Sequence, residues 1–182
     1  MPAIFIDKDG VINKLNKKKH YQSVKDIIPG SVKALKLINN SNFLSVMITN
    51  QPAIAKGIIS EKKFKNDLNF LTSKLGKENV FLDKIYYCPH HPEKGYKNEI
   101  RHLKINCKCR KPKNGLFLKA IKELNIDVKN SFMIGDQFSD FLASEKTNLG
   151  FIGVNFELKN NKKIIHKKNF LNAVKFILKF ES

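Results

Sequence analysis

The sequence predicts an α/β protein, a Rossmann-like parallel sheet with helices on both faces. Two observations carry that expectation. Short apolar runs of strand length alternate along the chain with longer stretches whose apolar residues recur at helical spacing. The residues directly after the apolar runs are acids, hydroxyls and amides, as expected where an open parallel sheet binds ligands at its C-terminal strand ends.

The elements follow in order. AIFI at 3–6 reads as a buried strand, followed by a polar loop through about Pro29. Residues 30–41 place Val32, Leu35 and Ile38 at helical spacing, and FLSVMI at 43–48 is a second strand. From about 60 to 75, Phe64, Leu68, Leu71 and Leu75 make one apolar stripe on a helix. DKIYY at 83–87 is a third strand, with Tyr86 and Tyr87 as packing residues, and a loop containing cysteine and histidine follows it. A helix is expected at 115–125, a strand at 131–134, a helix at 137–147 and a strand at 149–154. The lysine-rich stretch 156–168 is poorly patterned and reads as a surface loop. A last helix, about 168–180, carries Phe170, Val174, Ile177 and Leu178 on one face.

Composition narrows the class. The 182 residues suit a single domain, 1–182, with an elaborated loop at about 88–109. At 42% hydrophobic and 27% charged, the chain can bury a core and is not disordered throughout. No apolar run approaches the roughly 18 residues that a membrane span requires. The opening MPAIFIDKDG does not read as a secretory signal, so a cytoplasmic location is expected. The net charge of +18 suggests nucleic acid, but lysine supplies 32 of the 34 basic residues and is spread from Lys8 to Lys179. Twenty asparagines accompany it, a composition that A/T-rich coding would produce. Readers of nucleic acid favour arginine and cluster their charge. A solvated lysine surface that draws in small anions is the expectation, with no nucleic acid and no membrane as partner.

The loops at the strand ends carry the chemistry. Asp7-x-Asp9-Gly10 sets two carboxylates on the same side of an extended chain, where they need a cation or a shared proton. Alone, the pair serves equally well to cap a turn before glycine. Asp136 follows the 131–134 strand and completes an oxygen set suited to Mg2+, with Asp140 one helical turn further on. Thr49 and Asn50 offer a hydroxyl and an amide to phosphate oxygens, though turn capping is an equal reading of them in isolation. Lys111, after Arg110, suits neutralisation of charge on a transferring phosphoryl group.

All three cysteines lie between 88 and 109. Cys88, His90, Cys107 and Cys109 form a set of three thiols and one imidazole suited to tetrahedral Zn2+, with His91 as the alternative histidine. A disulfide from two of them would need an oxidising compartment.

In this order, Asp7-Lys8-Asp9-Gly10-Val11, Ile48-Thr49-Asn50, Lys111 and Gly135-Asp136 with Asp140 resemble the haloacid-dehalogenase-like (HAD-like) phosphatases. The resemblance implies Asp7 as nucleophile, Asp9 as general acid and base, Thr49 as phosphate ligand and Lys111 as charge stabiliser. It also implies Mg2+ on Asp7, Asp136 and the Asp9 carbonyl. The run Cys-Pro-His-His-Pro-Glu with Cys-x-Cys-Arg-Lys-Pro is similar to the D-glycero-D-manno-heptose 1,7-bisphosphate phosphatases, as is the 16-residue separation of His90 from Cys107. The related histidinol-phosphate phosphatases hold the same ligands on a shorter loop. That branch implies hydrolysis of a 7-phosphate in nucleotide-activated heptose synthesis for surface polysaccharide. It implies a structural zinc, no large cap domain, and substrate contacts from Asn50 and Arg110; Lys56 is a further expected substrate contact, and the chain is expected to be a monomer. Two departures bear on substrate choice. Gln51-Pro52-Ala53 with Lys56 replaces Gln-Ser-Gly with Arg, and Gln137 stands where Lys is common. The other readings are histidinol-phosphate phosphatase, polynucleotide 3′-phosphatase and a non-catalytic zinc-stabilised nucleic-acid-binding module.

Overall fold

The computed structural model describes residues 1–14, 21, 26–156 and 164–179. The strands are β1 (Ala3–Ile6), β2 (Leu44–Asn50), β3 (Lys84–Cys88), β4 (Phe132–Gly135), β5 (Gly150–Val154) and β6 (Ile165–Lys167). The α-helices are α1 (Ser31–Asn39), α2 (Pro52–Ala55), α3 (Glu61–Lys77), α4 (Gly115–Leu124), α5 (Phe138–Glu145) and α6 (Phe170–Leu178). The six strands form one sheet in the order β3-β2-β1-β4-β5-β6, every neighbouring pair parallel.

Strand β1 lies inside the sheet, between β2 and β4, and all four of its residues are buried. Its side chains alternate between the two faces, as a period of two requires. Ile4 and Ile6 join Leu35, Phe64, Leu71, Val174 and Ile177 on the side of α1, α3 and α6. Ala3 and Phe5 join Phe117, Met133, Phe141 and Phe151 on the side of α4 and α5. This two-sided burial explains why the strands read as unbroken apolar runs. Local signals place helix starts: the Ser60 side chain accepts from Lys63 N at 3.1 Å, and that of Asn169 accepts from Asn172 N at 2.9 Å.

All ten expected elements are present, and the structure corrects the reading in two places. Helix α2 was not expected, because four residues are too few to show a period; Pro52 at its first position presets the backbone. The stretch 156–168 is not wholly a loop. Ile165–Lys167 pairs with β5 as the sheet edge, and three residues give too little alternation to read. The rest of that expected loop at 157–163, part of the one before Pro29 (15–20 and 22–25), and residue 180 of the last helix lie outside the described residues. Among the described residues, no helix is long and apolar enough to cross a membrane.

The topology positions the site. The chain leaves β1 for α1 on one face and leaves β4 for α5 on the other, although β1 and β4 are neighbours. Such a reversal opens a crevice beyond the two strand ends.

Candidate active site

Asp7 and Asp136 flank that crevice. Ile6 pairs with Ile134, Asp7 N extends the ladder by donating to Ile134 O at 3.0 Å, and Asp136 directly follows β4. Asp140 lies in the first turn of α5, where its Oδ2 accepts from Gln137 N at 3.1 Å. Lys111 reaches the centre from the loop before α4. Its Nζ lies 2.7 Å from Asp7 Oδ1, 2.6 Å from Asp140 Oδ1 and 2.9 Å from Ile48 O. All four side chains are buried.

Three buried carboxylates against one ammonium leave an excess of negative charge. Burial and the neighbouring Asp7 push the Asp136 carboxyl up to about 8. Burial raises Asp140 to about 6, against the pull of Lys111. Burial opposes the charge on Lys111, but Asp140 and Asp7 outweigh it and hold the ammonium above its ordinary value. Asp7, Asp136 and Asp140 each place an oxygen within 4.8 Å of the others, and Asp136 Oδ1 is buried with no hydrogen-bond partner among the described residues. A small set of hard oxygens with an orphaned acceptor and unbalanced charge fits a Mg2+ ion.

Gly10 makes this approach possible. Its φ is +93°, and a Cβ there would lie 2.0 Å from Asp136 Oδ2. We expect Gly10→Ala to lower kcat about 100-fold at saturating Mg2+ by displacing Asp136. The left-handed backbone should cost a further ~1 kcal/mol of stability. Steady-state kinetics with a urea titration checks both, and unchanged kcat would contradict the packing.

Asp9 stands apart from the three-carboxylate cluster. Its carboxylate pairs with Lys8 Nζ and accepts from Gln51 Nε2 at 3.0 Å, and burial raises its pKa. Thr49 is buried at the end of β2. Asn50 makes a two-point clamp on the Lys111 backbone: Nδ2 donates to Lys111 O and Oδ1 accepts from Lys111 N, both at 3.1 Å. The amide expected to meet substrate therefore also fixes the lysine loop. Gln137 donates from Nε2 to Asp136 Oδ2 at 3.0 Å, a neutral contact beside the carboxylate cluster.

The second cluster sits at the end of β3. Sulfur–sulfur distances among Cys88, Cys107 and Cys109 run 3.1, 3.2 and 3.5 Å, and His90 Nδ1 lies 3.2 Å from Cys109 Sγ and 3.6 Å from Cys88 Sγ. A disulfide would require about 2.04 Å, and all three thiols are free. A tetrahedron around zinc with Zn–S near 2.3 Å has sulfur–sulfur edges of about 3.8 Å, so the thiols already stand closer together than such a site requires. His91 is placed elsewhere, edge-on to the Tyr96 ring with centroids 5.9 Å apart.

This loop is pinned to α2. Ala55 N donates to Pro89 O at 3.2 Å, and Ile100 N to Ala55 O at 2.9 Å. Gly57, at φ +67°, lies so close to Asn98 that a Cβ would fall 1.7 Å from its carbonyl oxygen. Cations gather around the loop. Lys56 and Lys104 place Nζ 4.6 and 4.7 Å from the Tyr96 ring centroid, and Arg110 Nη1 donates to His90 O at 3.5 Å. Burial, then Lys56, Arg110 and Lys104, hold the His91 pKa below its ordinary value.

The structure thus brings Asp7, Asp136, Lys111 and Asp140 together, with Asp9 and Thr49 linked beside them through Gln51. Sequence reasoning placed Gln51 among the polar residues at the strand ends without giving it a role, and it did not single out Tyr96 or Lys104. Nothing distinguishes Lys104 within a lysine-rich chain, whereas the place of Gln51 directly after the second strand was a usable signal.

A parallel sheet with a buried carboxylate–lysine centre at its reversal point fits the phosphatase expected from the sequence. Comparison with known proteins agrees. The family model described as polynucleotide kinase 3 phosphatase matches residues 3–172. The chain is 40% identical over 149 residues to the D-glycero-beta-D-manno-heptose-1,7-bisphosphate 7-phosphatase of Vibrio cholerae serotype O1, covering 82% of this chain and 78% of that one. It is 43% identical over 143 residues to the enzyme of the same name from Pasteurella multocida, covering 79% and 75%. Among solved structures, a D,D-heptose 1,7-bisphosphate phosphatase from B. bronchiseptica, complexed with magnesium and phosphate, shares the fold at a TM-score of 0.84 and 20% identity, with 99% of each chain covered. One from Burkholderia thailandensis does so at 0.67 and 18%, covering 100% of this chain and 99% of the other. The chain belongs to the polynucleotide kinase 3 phosphatase family and to that of the D-glycero-beta-D-manno-heptose-1,7-bisphosphate 7-phosphatases.

Proposed function

We propose that this chain removes the 7-phosphate of D-glycero-beta-D-manno-heptose 1,7-bisphosphate through a phosphorylated Asp7. The observation that carries the reading is the placement of Asp7 against Lys111 at the sheet's reversal point, in a chain about 40% identical to enzymes of that name. An Asp7 oxygen attacks phosphorus as the bond to the sugar oxygen breaks, and Asp9 gives its proton to that oxygen. Its raised pKa suits the acid role. Water then attacks the acyl phosphate, Asp9 takes the proton, and inorganic phosphate leaves a restored Asp7 carboxylate. Thr49 and Lys111 hold the phosphoryl oxygens, and Lys111 balances their charge. Mg2+, held by Asp7, Asp136 and the Asp9 carbonyl, would supply further neutralisation of the phosphate. Zn2+ on Cys88, His90, Cys107 and Cys109 would be structural.

The cations around the loop support a substrate with a second phosphate: Arg110 and Lys56, with Asn50, would contact the remainder of the sugar bisphosphate. The whole chain acts as one domain, as a monomer in the cytoplasm, in this reading. The test is phosphate release with Mg2+ from the heptose bisphosphate, histidinol phosphate and a 3′-phosphorylated oligonucleotide. We expect kcat/KM to favour the bisphosphate by about 100-fold or more, equivalent to nearly 3 kcal/mol. Preference for either of the others would replace the assignment.

A further inference from the structure

Gln51 takes no part in the steps above, yet it is buried between two groups that do, at 3% exposure. Its Nε2 donates to Asp9 Oδ2 and to Thr49 Oγ1, each at 3.0 Å. The amide's orientation follows from its partners. Once Asp9 has given up its proton its carboxylate only accepts, so in that state the nitrogen and not the carbonyl oxygen faces it, as in the structure. Both Nε2 protons are then committed. Its backbone is held as well, donating to Cys88 O at 2.8 Å. Two consequences follow for the chemistry. The Asp9 carboxyl is held between Lys8 and Gln51 in one orientation. The Thr49 oxygen already accepts from Gln51, so its own proton points away, and among the described residues it meets no acceptor.

We propose that Gln51 is a positioning residue that aligns Asp9 for proton transfer to the leaving oxygen and aims the Thr49 hydroxyl at the phosphoryl group. This rests on the phospho-Asp7 reading above. Proton donation matters in proportion to how poor the leaving group is, whereas a merely structural role slows every substrate alike. The experiment is therefore a series of phosphate monoesters, from alkyl to dinitrophenyl, turned over by the parent protein and by Gln51→Met. We expect kcat/KM to fall about 100-fold on alkyl esters and less than about tenfold on the dinitrophenyl ester, where only the Thr49 contribution is lost. The plot of rate against leaving-group pKa should steepen accordingly. Gln51→Glu keeps the shape but reverses the hydrogen bond to Thr49 and sets a second carboxylate against Asp9. It should steepen the plot at least as much, and it carries the same test if Gln51→Met fails to fold. A uniform fall across the series, or no fall, overturns the proposal while leaving Asp7 chemistry untouched. Absence of a hydroxylamine-sensitive phosphoenzyme in the parent protein overturns both.

Discussion

Asp7→Asn is expected to reduce phosphate release on the order of 10^4-fold or more, the scale on which nucleophile removal acts in covalent catalysis. The amide matches the carboxylate in shape but is no nucleophile towards phosphorus. The fold should survive, because Lys111 keeps Asp140 at 2.6 Å and the Ile48 carbonyl at 2.9 Å. Stability should change by no more than about 1 kcal/mol, since losing one partner of Lys111 is offset by relief of repulsion among buried carboxylates. Asp7 is the largest charge-based contributor to the raised pKa of Asp136, after burial. Rapid-quench phosphate release with thermal melting measures both quantities. Activity within tenfold of the parent would sink the phospho-aspartate mechanism.

The second large effect concerns the thiol–imidazole cluster. Stripping zinc with a competing chelator, or replacing Cys109 with Ser, should lower the melting temperature by about 8–16 °C. That range corresponds to ~4 kcal/mol lost from a domain of this size. Residues 92–95 of the loop are exposed, so it has little core of its own to fall back on. Dialysis into Mg2+-free buffer should shift the same melt by only a few degrees, because the aspartates can take up protons instead. Elemental analysis should return one zinc per chain. Activity should fall with the loop as well, since Cys109 lies two residues before Lys111 and Gln51 N is bonded to Cys88 O. Equal melting shifts on removal of either metal would contradict a structural zinc.

The +18 charge gains meaning from the placement of a few residues. Lys111 is buried against two carboxylates, and Lys56 and Lys104 meet at Tyr96, while other lysines, such as Lys62 and Lys119, face solvent. Composition alone does not separate these groups, because a buried lysine and a solvated one contribute the same unit of charge.

What the sequence by itself determined was the class of architecture and the inventory of reactive groups. Buried strands must be apolar and helices must carry a stripe, so ten elements could be read; Asp7, Thr49 and Asp136 stood out because polar residues directly followed those runs, and Lys111 stood out by its place after the cysteine loop in the order of the family's motifs. Tertiary structure decided the relations between them. Which strands are neighbours, and so whether Asp7 faces Asp136, depends on a sheet order that no local period encodes. The choice of His90 over His91 depended on the path of a loop pinned to a four-residue helix too short to read. The parts played by Asn50 and Gln51 were hidden for the same reason: amide contacts to Lys111, 61 residues from Asn50, and to Asp9, 42 residues from Gln51, are long-range hydrogen bonds that exist only once the sheet has closed the distance.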